Sequence, residues 1–306
     1  MHNVSFKGGT NMNDYIIMTD SCIDLTDEMA KNLDLHVLPL TVNIDGKEYK
    51  NYLDEREITI KDFYQHLRDH TKTSTSQINA NVFTEAMTPL LEEGKDILYI
   101  GFSSALSGTY NSSLIAKEDL SSDYPNRKII TLDSLCASMG QGLLLTYAAR
   151  LKKEGKSIVE VAKWVEDNKL NISHLFTVGD LNHLKRGGRL SSSKALIGTI
   201  LRVKPLLNVS SEGKLVQTGK TRGRKQSLDA MVERLVATIV NPTNQLVYIS
   251  HGDCLDEAVY VKNEILKQVK VKDVIVNFIG PVVGSHSGLG TLAIFYMGKD
   301  RFEPYE

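Results

Sequence analysis

The stretch from Asp96 to Lys117 most restricts what this chain can fold into. Asp96–Gly101 (Asp-Ile-Leu-Tyr-Ile-Gly) is a short apolar run of the kind buried inside a parallel sheet. Phe102–Asn111 follows as a Ser/Gly-rich turn, and Ser112–Lys117 then reads as a helix. A parallel strand needs a crossover before its neighbour, so strand, turn and helix together predict a βα unit. The same layout favours an anion. Free N–H groups in the first turn of a helix point at whatever sits before it, and the helix dipole favours negative charge. Hydroxyls of Ser103, Ser104, Ser107 and Thr109 can add donors, and the turn contains no Asp, Glu, His or Lys. It is suited to holding an anion, not to moving a proton.

Strands and helices alternate through the first half. Tyr15–Met18, His36–Val42 and Lys128–Leu132 read as strands, and Asp45-Gly46 as a hairpin turn. Helices are predicted over Thr59–Leu67, Asn79–Glu93, Gly140–Lys153 and Ser157–Asn168, with Thr73–Gln77 a hydroxyl-rich loop between two of them. That alternation predicts an α/β fold with a parallel, Rossmann-like sheet, whose ligands sit off the carboxyl ends of its strands. Asp20, Ser21, the 103–109 turn and Asp133-Ser134 all fall at such ends. The second half mixes hairpins with helices. Strands are expected at His174–Val178, Lys204–Val209, Lys214–Thr218, Leu246–Ser250, Val274–Ile279 and Leu292–Tyr296. Helices are expected at Asp180–Leu184, Lys194–Leu201, Ser227–Ile239 and Asp256–Val269. This is an α+β layer. The boundary is placed between Asp167 and Ser173, giving domains 12–170 and 171–306, with the first residues set aside.

Bulk properties exclude several classes. A length of 306 residues, 42% hydrophobic, is enough chain for a substantial core. The formal net charge of −1 gives no footprint for nucleic acid or an anionic membrane surface. Cys22, Cys136 and Cys254 are few, odd in number and far apart, which argues against a disulfide framework or zinc site and for the cytoplasm. No apolar run reaches the ~18 residues of a membrane span. His66 and His70 lack the Glu of the zinc-protease pattern and read as a solvated helix face. Gly288–Ala293 leads into a strand where a dinucleotide motif needs a helix, and Gly219-Lys-Thr221 lacks a correctly spaced upstream Gly, so no nucleotide cofactor is expected.

Four polar segments compete for function, each with a plain structural alternative. Thr75, Ser76 and Gln77 offer hydroxyl and amide groups to a ligand, or cap the helix that follows. Ser103, Ser104 and Ser107, with Gly108 and Thr109 shaping the turn, form the anion loop, or Ser107 caps a helix. Arg186 and Arg189 flank Gly187-Gly188, as a bidentate carboxylate clamp or a solvated turn. His286 sits between two serines in a Gly-rich loop and is either structural or functional, without the acids a Ser-His-Asp triad needs. Lys220–Lys225 is a basic cluster, read as a solvated turn or a surface for an anionic partner.

Taken in order, Thr19-Asp-Ser21, Thr73–Gln77, Phe102–Asn111, Leu184–Ser191 and Gly280–Gly290 resemble the signatures of the DegV family, from about Met12 almost to the C-terminus. The resemblance implies a DegV-like two-domain fold with the ligand in the interdomain cleft, and it implies a long-chain fatty acid as that ligand. Thr75 and Ser107 would meet the carboxylate from the first domain, Arg189 and His286 from the second. Ser76, Ser104 and Gly108 are secondary candidates. The acyl chain is expected in a tunnel largely within the first domain, against Leu114, Leu135, Met139, Leu143 and Leu144. The chain would be a carrier with no catalytic residues, cofactor or metal, presenting its lipid to a separate ATP-dependent fatty acid kinase. The competing expectation is a small-molecule enzyme, either a sugar-phosphate isomerase or a serine hydrolase, using the Ser103–Thr109 loop.

Overall fold

A computed structural model describes residues 14–190, 203–299 and Arg301. The expected helix over Lys194–Leu201 lies outside these residues. In chain order the first half contains β1 (Tyr15–Asp20), α1 (Asp27–Asn32), β2 (Leu35–Leu38), β3 (Thr41–Ile44), β4 (Lys47–Lys50), α2 (Ile60–Arg68), β5 (Thr73–Ser76), α3 (Ala80–Glu92), β6 (Asp96–Gly101), α4 (Thr109–Asp123), β7 (Ile129–Asp133), α5 (Met139–Lys153) and α6 (Ile158–Asn168). The second contains β8 (Ile172–Thr177), α7 (Leu181–Arg186), β9 (Val203–Val209), β10 (Leu215–Arg222), α8 (Arg224–Thr238), β11 (Leu246–His251), α9 (Leu255–Gln268), β12 (Asp273–Phe278), α10 (Pro281–Ser287) and β13 (Leu292–Met297).

Three sheets result. A parallel sheet runs β2-β1-β6-β7, as the first-half alternation requires. A six-stranded sheet runs β10-β9-β8-β13-β11-β12, antiparallel except for β11 with β12. The third, β4-β3-β5, is small and antiparallel. The single strand expected over His36–Val42 is therefore two. Pro39 supplies no N–H, and the chain leaves one sheet there to enter the next. Asp45 and Gly46 both have positive φ (51° and 84°), the backbone of a type I′ hairpin turn, as the Asp-Gly pair predicted.

Helix α5 lies between the two larger sheets. Met139 through Thr146 are all buried, so the helix has no polar face. Its core joins Ile17, Leu98 and Ile100 of the parallel sheet to Phe176, Leu207, Tyr248 and Phe295 of the mixed one. The mixed sheet divides its side chains by the period of two. Leu175, Val247, Ile249, Leu292 and Ile294 pack with the α8 and α9 residues Leu235 and Val261, while the alternate residues face α5 and the first half.

Helix α10 was expected to be part of a flexible loop. It is a seven-residue helix with Pro281 at its first position and Gly288 (φ 80°) just past its end, the usual Pro-in, Gly-out pattern. Two side chains of the first half fix its start. Tyr64 on α2 donates its hydroxyl to the Ile279 carbonyl at 2.8 Å, and Asp24 accepts from Gly280 N at 2.9 Å. Tyr64→Phe is expected to cost about 1 kcal/mol, the worth of one buried hydrogen bond, read by urea unfolding.

Candidate functional site

A cavity of about 200 Å³ opens between the parallel sheet's strand ends and the mixed sheet. Its floor is the mixed sheet: His174 and Phe176 on β8 lie beside Phe295 and Ala293 on β13, and Ser250 on β11 lies opposite Ala293. Thr291, Ala293 and Phe295 line it in succession, so the floor follows β13 for about 13 Å at the strand rise per residue. Cys22, Leu40, Phe102 and Leu106 form the first-half wall. Leu184, Val209, Leu215, Val282 and Val283 add apolar surface from the second half.

The polar mouth gathers Thr75, Gln77, Ser107, Gly108, Arg189 and His286. Each arrives by a different element. Thr75 is on β5, whose burial alternates so that Thr73 and Thr75 turn inward while Ser74 and Ser76 face solvent. Ser107 and Gly108 lead into α4. A Cβ on Gly108 would lie 2.0 Å from Gln77 Oε1, so a larger residue there would displace the Gln77 side chain from the mouth. Arg189 follows α7, and His286 ends α10.

These groups are wired together. His286 Nδ1 lies 3.0 Å from the Gly187 carbonyl, so Nδ1 carries the proton and donates. Nε2 then accepts from the Thr75 hydroxyl at 2.7 Å. Arg189 Nη1 donates to the same Gly187 carbonyl at 2.8 Å, and Nε to Leu106 O at 3.3 Å. Burial, and then the Arg189 charge, push His286 down to about 4, so at neutral pH the ring is uncharged. Ser107 Oγ is 2.9 Å from Thr109 Oγ1 and accepts from Thr109 N. The anion loop is tied to the second half by Ser103 Oγ, which donates to Gly213 O at 2.9 Å.

The cavity thus brings together Thr75, Ser107, Gly108, Arg189 and His286, and leaves out Ser76 and Ser104. Ser76 points outward on its strand. Ser104 N donates to Asp133 Oδ1 beside β7, and its side chain is not on the wall. The expected tunnel residues are elsewhere too. Met139, Leu143 and Leu144 are fully buried in the α5 core, Leu114 is 38% exposed, and Leu135 offers its carbonyl to Arg301. An apolar helix sequence does not distinguish core from cavity wall, and here the core takes it. The cavity is walled by both halves, not mainly by the first. The basic cluster is not the solvated turn expected: Lys220–Arg222 end β10 and Arg224 opens α8, with Arg224 paired to Glu257 and Lys225 to Asp229.

Two buried carboxylates stand behind the site: Asp20, expected at a strand end, and Asp24, which the sequence suggested only as a helix cap. Asp20 accepts from Phe102 N (2.9 Å) and the Tyr99 hydroxyl (3.0 Å), fixing the start of the anion loop. Asp24 accepts from Ser138 Oγ (2.5 Å), which is 2.9 Å from Ser250 Oγ; both serines touch the cavity. Burial pushes both acids up, Asp24 to about 7. Among the described residues no group of three or more His, Cys, Asp or Glu could hold a metal ion, and no helix is long and apolar enough to cross a membrane.

A family model described as "Uncharacterised protein, DegV family" matches residues 15–299. A DegV domain-containing protein of Clostridium perfringens is 48% identical over 293 residues, covering 96% of this chain and 100% of the relative. Among solved structures, a DegV family protein from Thermus thermophilus, described by its fatty acid binding, superposes with a TM-score of 0.84 at 29% identity, over 93% of this chain and 99% of that one. DegV from Bacillus subtilis, described as a fatty acid binding protein, does so with a TM-score of 0.81 at 30% identity, over 94% and 100%.

Proposed function

The chain belongs to the DegV family, and on that premise we propose that it binds one long-chain fatty acid, with the carboxylate at the cavity mouth and the acyl chain along β13. The observation that carries this reading is the convergence of two hydroxyls, an arginine and a histidine at one end of an otherwise largely apolar cavity. A carboxylate leaving water must recover its hydrogen bonds; Arg189 and Ser107 are its direct donors, and the Thr75 hydroxyl joins them by turning from His286 Nε2 to the incoming oxygen, with His286 holding Thr75 in place until then. Each buried CH₂ of the tail adds about 0.8 kcal/mol, so tight binding needs no chemistry. Solved relatives described as fatty acid binding support the ligand class. The carboxylate lies at the junction of domains 12–170 and 171–306. The protein is a cytoplasmic carrier, not an enzyme, and a separate ATP-dependent fatty acid kinase takes the bound acid as substrate.

The hydrolase alternative has little support in the geometry. Ser107 Oγ is paired with Thr109 and not with His286, whose Nε2 faces Thr75, so the nucleophile lacks its base. The test is mass spectrometry of an organic extract from natively purified protein. A fatty acid near one equivalent is expected. Protein that carries none and takes up none from added oleate would sink the carrier reading.

A further inference from the structure

Helix α10 turns Val282, Val283, His286 and Ser287 to the cavity, positions i, i+1, i+4 and i+5 of one helical stripe. The two valines are apolar wall, and His286 is bonded at both ring nitrogens. Ser287 differs. The residue is 8% exposed, and its hydroxyl is buried with no hydrogen-bond partner in the protein. Other hydroxyls on the wall are engaged: Thr75 with His286, Ser107 with Thr109, Ser138 with Asp24 and Ser250, Thr291 with the Ser287 carbonyl.

A helical serine has an easy remedy, the carbonyl four residues back. Ser285, two positions earlier, takes it, donating to Pro281 O at 2.8 Å. Ser287 does not, although a buried hydroxyl without a partner costs stability. A polar group kept buried, unpaired and on a cavity wall is arranged for something that enters the cavity.

We infer that Ser287 is a ligand contact, donating its hydroxyl to the fatty acid carboxylate beside His286. The inference rests on the fatty-acid reading of this cavity. A carboxylate has about four lone-pair sites to fill. Thr75 and two of the Arg189 N–H groups are already donating within the protein, to His286, Gly187 and Leu106. Ser287 adds a donor that nothing else uses. An alkyl chain could not use it, so the hydroxyl belongs to the head-group end.

The test compares oleate with oleyl alcohol, the same chain with a neutral head, by titration calorimetry on lipid-stripped full-length protein. Ser287→Ala should bind oleate about five- to tenfold more weakly and oleyl alcohol within about twofold of wild type. Its lipid-free melting temperature should equal or exceed that of wild type, because an unpaired buried hydroxyl has been removed. Ser287→Cys, close in volume but a poor donor, should weaken oleate in the same direction. Unchanged oleate affinity in both variants, with wild type binding normally, would overturn the inference alone. Equal loss for both lipids would overturn it as well, by assigning Ser287 to packing. Wild type that binds neither lipid would remove the fatty-acid reading itself.

Discussion

Arg189→Ala is expected to fold and to bind a long-chain fatty acid about fiftyfold more weakly than the wild-type chain, a loss of roughly 2 kcal/mol. Among the described residues lining the cavity, Arg189 is the one full cation, opposite two neutral hydroxyls and a neutral imidazole. Removing it leaves a partly desolvated carboxylate with neutral donors only. The residue is exposed, its bond to the Gly187 carbonyl is local, and its one link to the first half, Nε to Leu106 O, is long at 3.3 Å, so the fold should persist by circular dichroism. Arg189→Lys keeps the charge but not the planar fork, and should fall between the two. Ser107→Ala removes one neutral donor and should cost about tenfold or less. Affinities unchanged in both alanine variants would remove the carboxylate from this mouth.

How far the site could be read from sequence depended on how local its determinants are. The 102–111 turn was legible because strand, turn and helix are consecutive, although α4 begins at Thr109, three residues before the Ser112 start that the pattern suggests, because Thr109–Asn111 already take up helix. The Asp45-Gly46 hairpin was legible for the same reason. Strand β5 was not. Thr73-Ser-Thr-Ser76 contains no apolar residue, so period two cannot show in hydrophobicity, and the strand exists because β3 pairs with it. That error carried into the site, since only the strand's alternation separates Thr75 from Ser76. For α10 the signal was present and overlooked: Pro281 and Gly288 bracket a helix, but four glycines between 280 and 290 suggested a loop. Asp20 was legible as a strand-end residue, but the burial of Asp20 and Asp24 gave no signal, because burial of an acid there is decided by what packs over it.

Asp24 leads to the second large effect, on stability against pH. The carboxyl is buried and its pKa rises from 3.8 to about 7. Desolvation is the main cause, partly offset by the bonds from Ser138 and Gly280. In the folded chain it therefore holds a proton between about pH 4 and 7 that the unfolded chain has lost. Folding takes up a proton over that window, so stability falls as pH rises through it, and levels off above the folded pKa. At about 1.4 kcal/mol per pH unit, raising the pH from 5 to 8 costs roughly 3 kcal/mol through this residue. Asp24→Asn keeps the acceptor for Gly280 N and cannot ionise. Its unfolding free energy in urea, on lipid-stripped protein, should lack that decline, so the variant gains roughly 3 kcal/mol relative to wild type between pH 5 and 8. Taking the difference cancels the groups that do not interact with Asp24; the Asp20 charge, which itself raises Asp24, is removed by the same comparison in Asp20→Asn. Parallel curves would mean that Asp24 is not held in this state. The cost has a structural return. The same carboxyl joins the β1 end of the first half to Gly280, where the helix carrying His286 begins, and to Ser138, where α5 begins. Two walls of the cavity are thus referenced to one buried acid. At pH 8, where the wild-type carboxyl is ionised, Asp24→Asn replaces a charge-assisted link with a neutral one and should loosen His286 against Thr75, so the variant, despite its flatter pH dependence, is expected to bind fatty acid no better than wild type.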